Sequence, residues 1–312
     1  MAEADVLATG QSDQAAPLKK DRARLLWPVL AIPGTFWLIL LFVVPFYGIM
    51  AVAFSSQLDI LGQPVPAWNP LEWSFTVMSD VFHQSLDGTY QSAWIHTFTY
   101  TAMAMTICIL IGYPVAYYVA RLAGRNRGLL LALILAPWWI NYLTRMLAWV
   151  GLLGDQGYVN EFLGWFGVAP VDWLAGNWYV VVIAIAYGYI PFFIVPLYAY
   201  LDRIDQRLIE ASRDLGANSF RTFFRVTLPL SRIGLITSIV ITALPMFGDY
   251  YTNTLVSNSP ATVMVGNSIE KSLQSGFSRA QGASLVLLLS AVLLVFMAYY
   301  LMLTVRASKE AR

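Results

Sequence analysis

Long apolar runs alternate with short polar segments along the chain. Six runs are long enough to cross a bilayer: residues 27–54, 95–120, 129–153, 178–200, 233–251 and 284–305. A helix needs about 20 apolar residues to span the hydrocarbon core. The pattern therefore predicts an all-α membrane protein with six transmembrane helices. Two runs are interrupted. The third holds Pro137 and Arg145, and the fifth holds Pro245 and Asp249. Residues 1–26 are polar and predict a flexible tail. The run after them is too long for the apolar core of a cleaved signal peptide and predicts a retained anchor. Residues 306–312 form a short second tail, which leaves 27–305 as the membrane domain.

Charge gives the runs a direction. Of the 19 Lys and Arg residues, sixteen fall in residues 19–24, 121–128, 201–232 and 306–312. The segments on the other side, 55–94, 154–177 and 252–283, hold only Lys271 and Arg279. Basic residues accumulate on the cytoplasmic side, so both termini are expected there. An even number of spans requires the same. The 55–94 segment carries Asp59, Glu72, Asp80 and Asp87 without a basic residue, and is long enough to fold against the outer membrane surface.

Composition narrows the chemistry. Charged residues make up 12% of the chain, against about 25% in soluble domains, which excludes a soluble protein. The 11 Trp residues suit the two membrane interfaces. Cys108 is the single cysteine and reads as a small buried hydrophobe, with no intrachain disulfide possible. His83 and His96 stand alone in a polar stretch and read as surface histidines rather than metal ligands. No Gly-rich run has the spacing that cradles a nucleotide phosphate, and no cofactor or nucleic-acid partner is expected. An ion-coupled carrier would call for inverted repeats with paired broken helices, and a membrane enzyme for a nucleophile–base or metal cluster. Neither pattern is evident.

The connection at about 201–232 is unusual for a loop between two spans. It parses as two short helices. The first starts near Asp205 and places Leu208, Ala211, Ser212 and Leu215 on one face; Gly216 stops it. Asn218 or Ser219 caps a second, which carries Phe220, Phe223 and Phe224 and ends before Pro229. Exposed phenylalanines are costly unless covered, and six arginines supply a polar rim. A helix–turn–helix docked on a cytoplasmic partner and an amphipathic loop at the interface both satisfy this pattern.

Glu210-Ala211-Ser212, Gly216 and Val226-Thr227-Leu228-Pro229 resemble the EAA loop of ABC importer permeases, with Ser212 in place of the second alanine and Val226 in place of isoleucine. The resemblance implies the type I permease fold and makes Glu210, Ala211, Ser212, Gly216, Leu228 and Pro229 the residues that couple to a separate ATPase. It extends over roughly residues 30 to 305. Pro137-Trp138-Trp139-Ile140-Asn141, Gly157-Tyr158-Val159-Asn160-Glu161, Pro191-Phe192-Phe193 and Leu244-Pro245-Met246-Phe247-Gly248-Asp249 are similar to the spermidine/putrescine permeases. Permeases for opines, amino-acid derivatives and anions share the scaffold. The resemblance further implies a multi-pass protein of the bacterial inner membrane and a heterodimer with a sibling permease. Two ATPase subunits carrying ATP and Mg, and an extracytoplasmic substrate-binding protein, complete the implied assembly.

Ionisable residues inside a membrane are functional candidates first. Asp249, followed by Tyr250 and Tyr251, offers a polyammonium substrate charge pairing and aromatic faces; the other reading is a carboxylate that caps the span in water. Arg145 either pairs with an acid such as Asp249 or Asp155, or snorkels to the interface. Asn141 and Trp138 supply a hydrogen bond and an aromatic wall to the same route, or merely pack.

Overall fold

The computed structural model describes residues 30–59, 62–257 and 259–310, so the tail expected at 1–26 lies outside the described residues. Among the described residues there is no β-strand, only an isolated bridge between Leu58 and Pro64. Five helices are long and apolar enough to cross a membrane, and a sixth crossing follows if one bent pair counts as a single span. The chain divides into two units, residues 1–49 and 50–312.

The described part of the first unit belongs to α1 (Leu30–Ala53). Its middle turn, Ile39–Val43, is π-helical, and Val44 N–H reaches back to Ile39 C=O. Pro45 explains this turn. A proline ring lacks an N–H and collides with the carbonyl four residues earlier, here Leu41, at the centre of the widened turn. The same device recurs in the second unit, where a π-turn at Phe223–Thr227 precedes Pro229 and centres on Arg225.

Two short helices, α2 (Thr76–Asp87) and α6 (Tyr158–Gly164), stand outside the long spans. The second unit is organised around α7 (Trp178–Asp202), which lies between α3 (Gln91–Arg121) and α9 (Ser219–Phe247). The apolar window of α7 is 61% buried, against 11% for α12 (Arg279–Arg306 of a helix that continues to Glu310). A helix that is apolar all round belongs in the middle of a bundle. Small residues let the backbones approach. A Cβ at Gly112 on α3 would lie 2.7 Å from Phe193 on α7, and one at Gly234 on α9 would lie 2.4 Å from Tyr200. Hydroxyls supply the polar links: Tyr113 Oη and Ser231 Oγ are 2.7 Å apart between α3 and α9, and Cys108 is buried against α7.

Four apolar runs match helices to within a few residues, and two need correction. The third is not one straight span. α4 (Arg127–Leu135) passes into a 3-10 turn at Ala136–Trp139, and α5 (Tyr142–Leu153) leaves at 87° to it. Pro137 removes an α-helical donor, Ile140 turns extended, and Asn141 Oδ1 accepts from Leu143 N–H to start the new helix. The second correction concerns Pro229. It does not end the second helix of the 201–232 connection, because the π-turn absorbs its ring and the helix runs unbroken from Ser219 into the fifth span. That span then stops at Phe247, before Asp249.

Candidate functional site

The break after Pro137 and the stop at Phe247 face each other across α7, and a cavity of about 690 Å³ opens between them. Trp138, Asn141, Arg145, Asp249, Tyr250 and Tyr251 all line it. These six come from two segments more than a hundred residues apart in sequence. Asp249 is only 6% exposed. It lies beyond the helix rather than on it, and caps the following helix α10 (Tyr251–Val256): Oδ1 accepts from Thr252 N–H at 3.0 Å. Oδ2 accepts from Thr252 Oγ1 at 2.5 Å and from Tyr142 Oη at 3.2 Å. The rings of Tyr250 and Tyr251 lie 4.1 Å apart.

Arg145 is buried without an ion pair: among the described residues no carboxylate lies within 4 Å of it. Its guanidinium covers the Tyr142 ring at 5.3 Å, so the ring whose hydroxyl holds Asp249 separates the cation from the anion. The expected pairing with Asp249 or Asp155 is therefore not made. Asn141 spends its side-chain oxygen on Leu143 N–H. The Trp138 ring packs on Phe192 with centroids 3.9 Å apart. Pattern reading missed Tyr142, Tyr189 and Phe192, which also line the cavity. The signal was present, since a tyrosine in an apolar span needs a partner for its hydroxyl.

The 201–232 connection forms a compact two-helix element. In α8 (Gln206–Asp214), Asp205 accepts from Arg207 N–H at the start. The end is a Schellman motif: Ala217 N–H reaches Ser212 C=O, Gly216 N–H reaches Arg213 C=O, and Gly216 has φ +82°. Asn218 immediately caps α9 by accepting from Arg221 N–H at 2.8 Å. Ser212 Oγ and Thr222 Oγ1, 2.9 Å apart, tie the two helices together. Ile209, not singled out by the pattern, is the inward anchor; Leu208, Ala211 and Leu215 face outward. Phe220 and Phe224 are exposed as well, whereas Phe223 turns inward onto Tyr113 and Tyr117 at 5.5 and 5.6 Å. Glu210 and Pro229 are also exposed, and Leu228 is half-buried against the core. Arg121 at the end of α3 anchors the whole element. Its guanidinium donates to Leu201 C=O in the last turn of α7, to Ile204 C=O just beyond it, and to Gln206 Oε1 at 3.3 Å. Cations suit helix C-termini, whose carbonyls lack partners.

The sequence matches the binding-protein-dependent transport system inner membrane component family over residues 24–309. The chain belongs to that family. The family places it among importer permeases and agrees with the resemblance carried by Glu210 to Pro229. Among its relatives, the spermidine/putrescine transport system permease protein PotB of Escherichia coli (strain K12) is 30% identical over 266 residues, 83% of this chain and 92% of that protein. The PotB of Haemophilus influenzae is 31% identical over 267 residues, 84% of this chain and 89% of its own. The crystal structure of a bacterial alginate ABC transporter, in complex with an alginate pentasaccharide-bound periplasmic protein, shares the fold. Its TM-score is 0.69 at 18% identity, covering 93% of this chain and 96% of that one.

As a family member this permease is a transport subunit, and two regions of it stand out. The cavity is built where helices break, the one place where backbone and ionisable side chains are tolerated at membrane depth. The two-helix element presents exposed leucines and phenylalanines on a rigid, doubly capped frame. His96 departs from the expectation of a surface histidine. Its Nδ1 lies 3.0 Å from Val263 C=O and its ring stacks on Tyr100, so it fastens the loop before α11 (Val265–Gln274) to α3.

Proposed function

We propose that this permease forms half of a translocation pathway for polyamines of the spermidine/putrescine class. It pairs with a sibling permease in the bacterial inner membrane, with both termini cytoplasmic. The observation that carries the reading is the cavity of the broken helices, in which a carboxylate held by hydroxyls stands beside a pair of tyrosine rings. An alkylammonium chain needs negative charge and π-faces, and two relatives are named for spermidine and putrescine. In the assembled importer, two ATPase subunits hold ATP and Mg, and each receives one coupling element. The element of this chain offers Leu208, Leu215, Phe220 and Phe224 to its ATPase. ATP binding draws the elements together and opens the permease pair to a loaded periplasmic binding protein, and hydrolysis resets it.

Two experiments test this reading. The complex in lipid nanodiscs, supplied with its binding protein, is expected to hydrolyse ATP several-fold faster with spermidine or putrescine. Stimulation by an opine or an oxyanion but not by either amine overturns the substrate assignment. Reporter fusions check the orientation: those after residues 125 and 215 are expected in the cytoplasm, and those near 85 and 165 outside. A cytoplasmic signal from either of the last two overturns the arrangement.

A further inference from the structure

The carboxylate of Asp249 is largely spoken for. An ionised carboxylate has about four acceptor sites. Asp249 gives one to Thr252 N–H, one to Thr252 Oγ1 and one to Tyr142 Oη, and Tyr189 lines the same cavity. All three donors are neutral. The residue as a whole is only 6% exposed, and α11 closes on its backbone, where a Cβ at Gly266 would lie 2.8 Å from the Asp249 carbonyl oxygen. A substrate ammonium entering the cavity therefore meets what surrounds the carboxylate before it meets the carboxylate.

We propose that the hydroxyl oxygens of Tyr142 and Tyr189, rather than the Asp249 carboxylate itself, are the acceptors that contact the substrate ammonium. This rests on the reading of the cavity as a polyamine route. Tyr142 Oη is also hydrogen-bonded to Thr252 Oγ1, which takes at most one of its two lone pairs. A phenol that donates its one proton toward the anion keeps the other free and becomes a better acceptor, because linked hydrogen bonds polarise one another. The two tyrosines come from different helices, α5 and α7, and both line the cavity. Their convergence is built into the backbone. Gly188, next to Tyr189, leaves room for the other phenol, and a Cβ there would lie 3.2 Å from Tyr142 Oη. Arg145 stays on the ring face of Tyr142 and does not neutralise Asp249 by direct contact. The arrangement suits passage. Neutral oxygens with a charge behind them attract an ammonium without trapping it, and conduction needs sites weak enough to leave.

The test uses the complete importer in proteoliposomes at saturating, loaded binding protein. Tyr142→Phe and Tyr189→Phe are each expected to lower spermidine uptake about five- to tenfold and putrescine uptake less. The yield of assembled complex should stay unchanged. Gly188→Ala, which displaces the Tyr142 phenol without deleting it, is expected to give the same preference. Adding either tyrosine substitution to Asp249→Asn should cost less than about twofold more, because all three remove one relay. Normal uptake by both tyrosine variants, with a loss in Asp249→Asn, overturns the relay and leaves the polyamine route standing. An equal loss for both amines that follows the yield of complex also overturns it, since that is what a purely structural role produces. Normal uptake by Asp249→Asn as well removes the cavity from the route altogether.

Discussion

Gly216→Val is expected to lower coupled transport by at least about tenfold while all the membrane helices still insert. Residue 216 has φ +82°, where a β-branched side chain is a steric outlier. A left-handed non-glycine residue costs on the order of 1–3 kcal/mol. No other atom lies within 4 Å of a Cβ placed there, so the effect is one of backbone alone. The Schellman bonds of Gly216 and Ala217 end α8, and Asn218 starts α9 two residues later. One altered dihedral therefore re-aims two helices together. Ile209, Phe223, Arg121 and the Ser212–Thr222 pair hold the two helices, so the strain falls on the turn that joins them. Gly216→Asn supplies the control, because Asn tolerates the left-handed region, and it should retain most transport. Uptake and ATP hydrolysis measured on the same purified complex decide the matter. A Gly216→Val complex that assembles and transports at the normal rate would show that the element's geometry does not carry coupling.

Much of the fold was legible because the bilayer leaves few choices. A run of apolar residues in lipid must satisfy its own backbone, so it becomes a helix of a length the run itself states. The breaks were legible only as places. Pro137 marked a discontinuity, but the 87° bend depends on Ile140 turning extended and on Asn141 capping the next helix. Pro229 misled for a related reason. Proline ends an α-helix when the carbonyl four residues earlier cannot move, and here a π-turn moves it. The three phenylalanines at 220, 223 and 224 read alike in sequence, and only the packing separates the inward Phe223 from its exposed neighbours. In the cavity, the ionisable residues announced themselves by their cost in a membrane. Tyr142 and Tyr189 did not, because a tyrosine in an apolar span counts as apolar until the partner of its hydroxyl is known.

Asp249→Asn is the second large effect, and its interpretation depends on Arg145. The substitution keeps shape and most hydrogen bonding. The Asn oxygen can take Thr252 N–H, and the amide can donate to the hydroxyls of Thr252 and Tyr142, which rotate to accept. Only the charge is lost. Hydrogen bonds to a charged group contribute about 1.5–3 kcal/mol, against about 0–1 kcal/mol for exposed ion pairs. At about 1.4 kcal/mol per decade, polyamine uptake should fall roughly 10- to 100-fold with assembly and basal ATP hydrolysis near normal. A triamine should suffer more than a diamine. The competing account starts from Arg145, which is 9% exposed and has Tyr142 between it and the anion. If Asp249 serves to balance that cation, Asp249→Asn leaves a buried charge uncompensated, and removing one partner of a buried pair is strongly destabilising. The single variant would then lose assembled complex, and Asp249→Asn with Arg145→Gln would recover it, giving a large coupling energy in a double-mutant cycle. The route predicts the opposite pattern: complex intact in the single variant, uptake lost, and no recovery of uptake in the double variant, because neutralising Arg145 does not restore the negative charge that the ammonium needs.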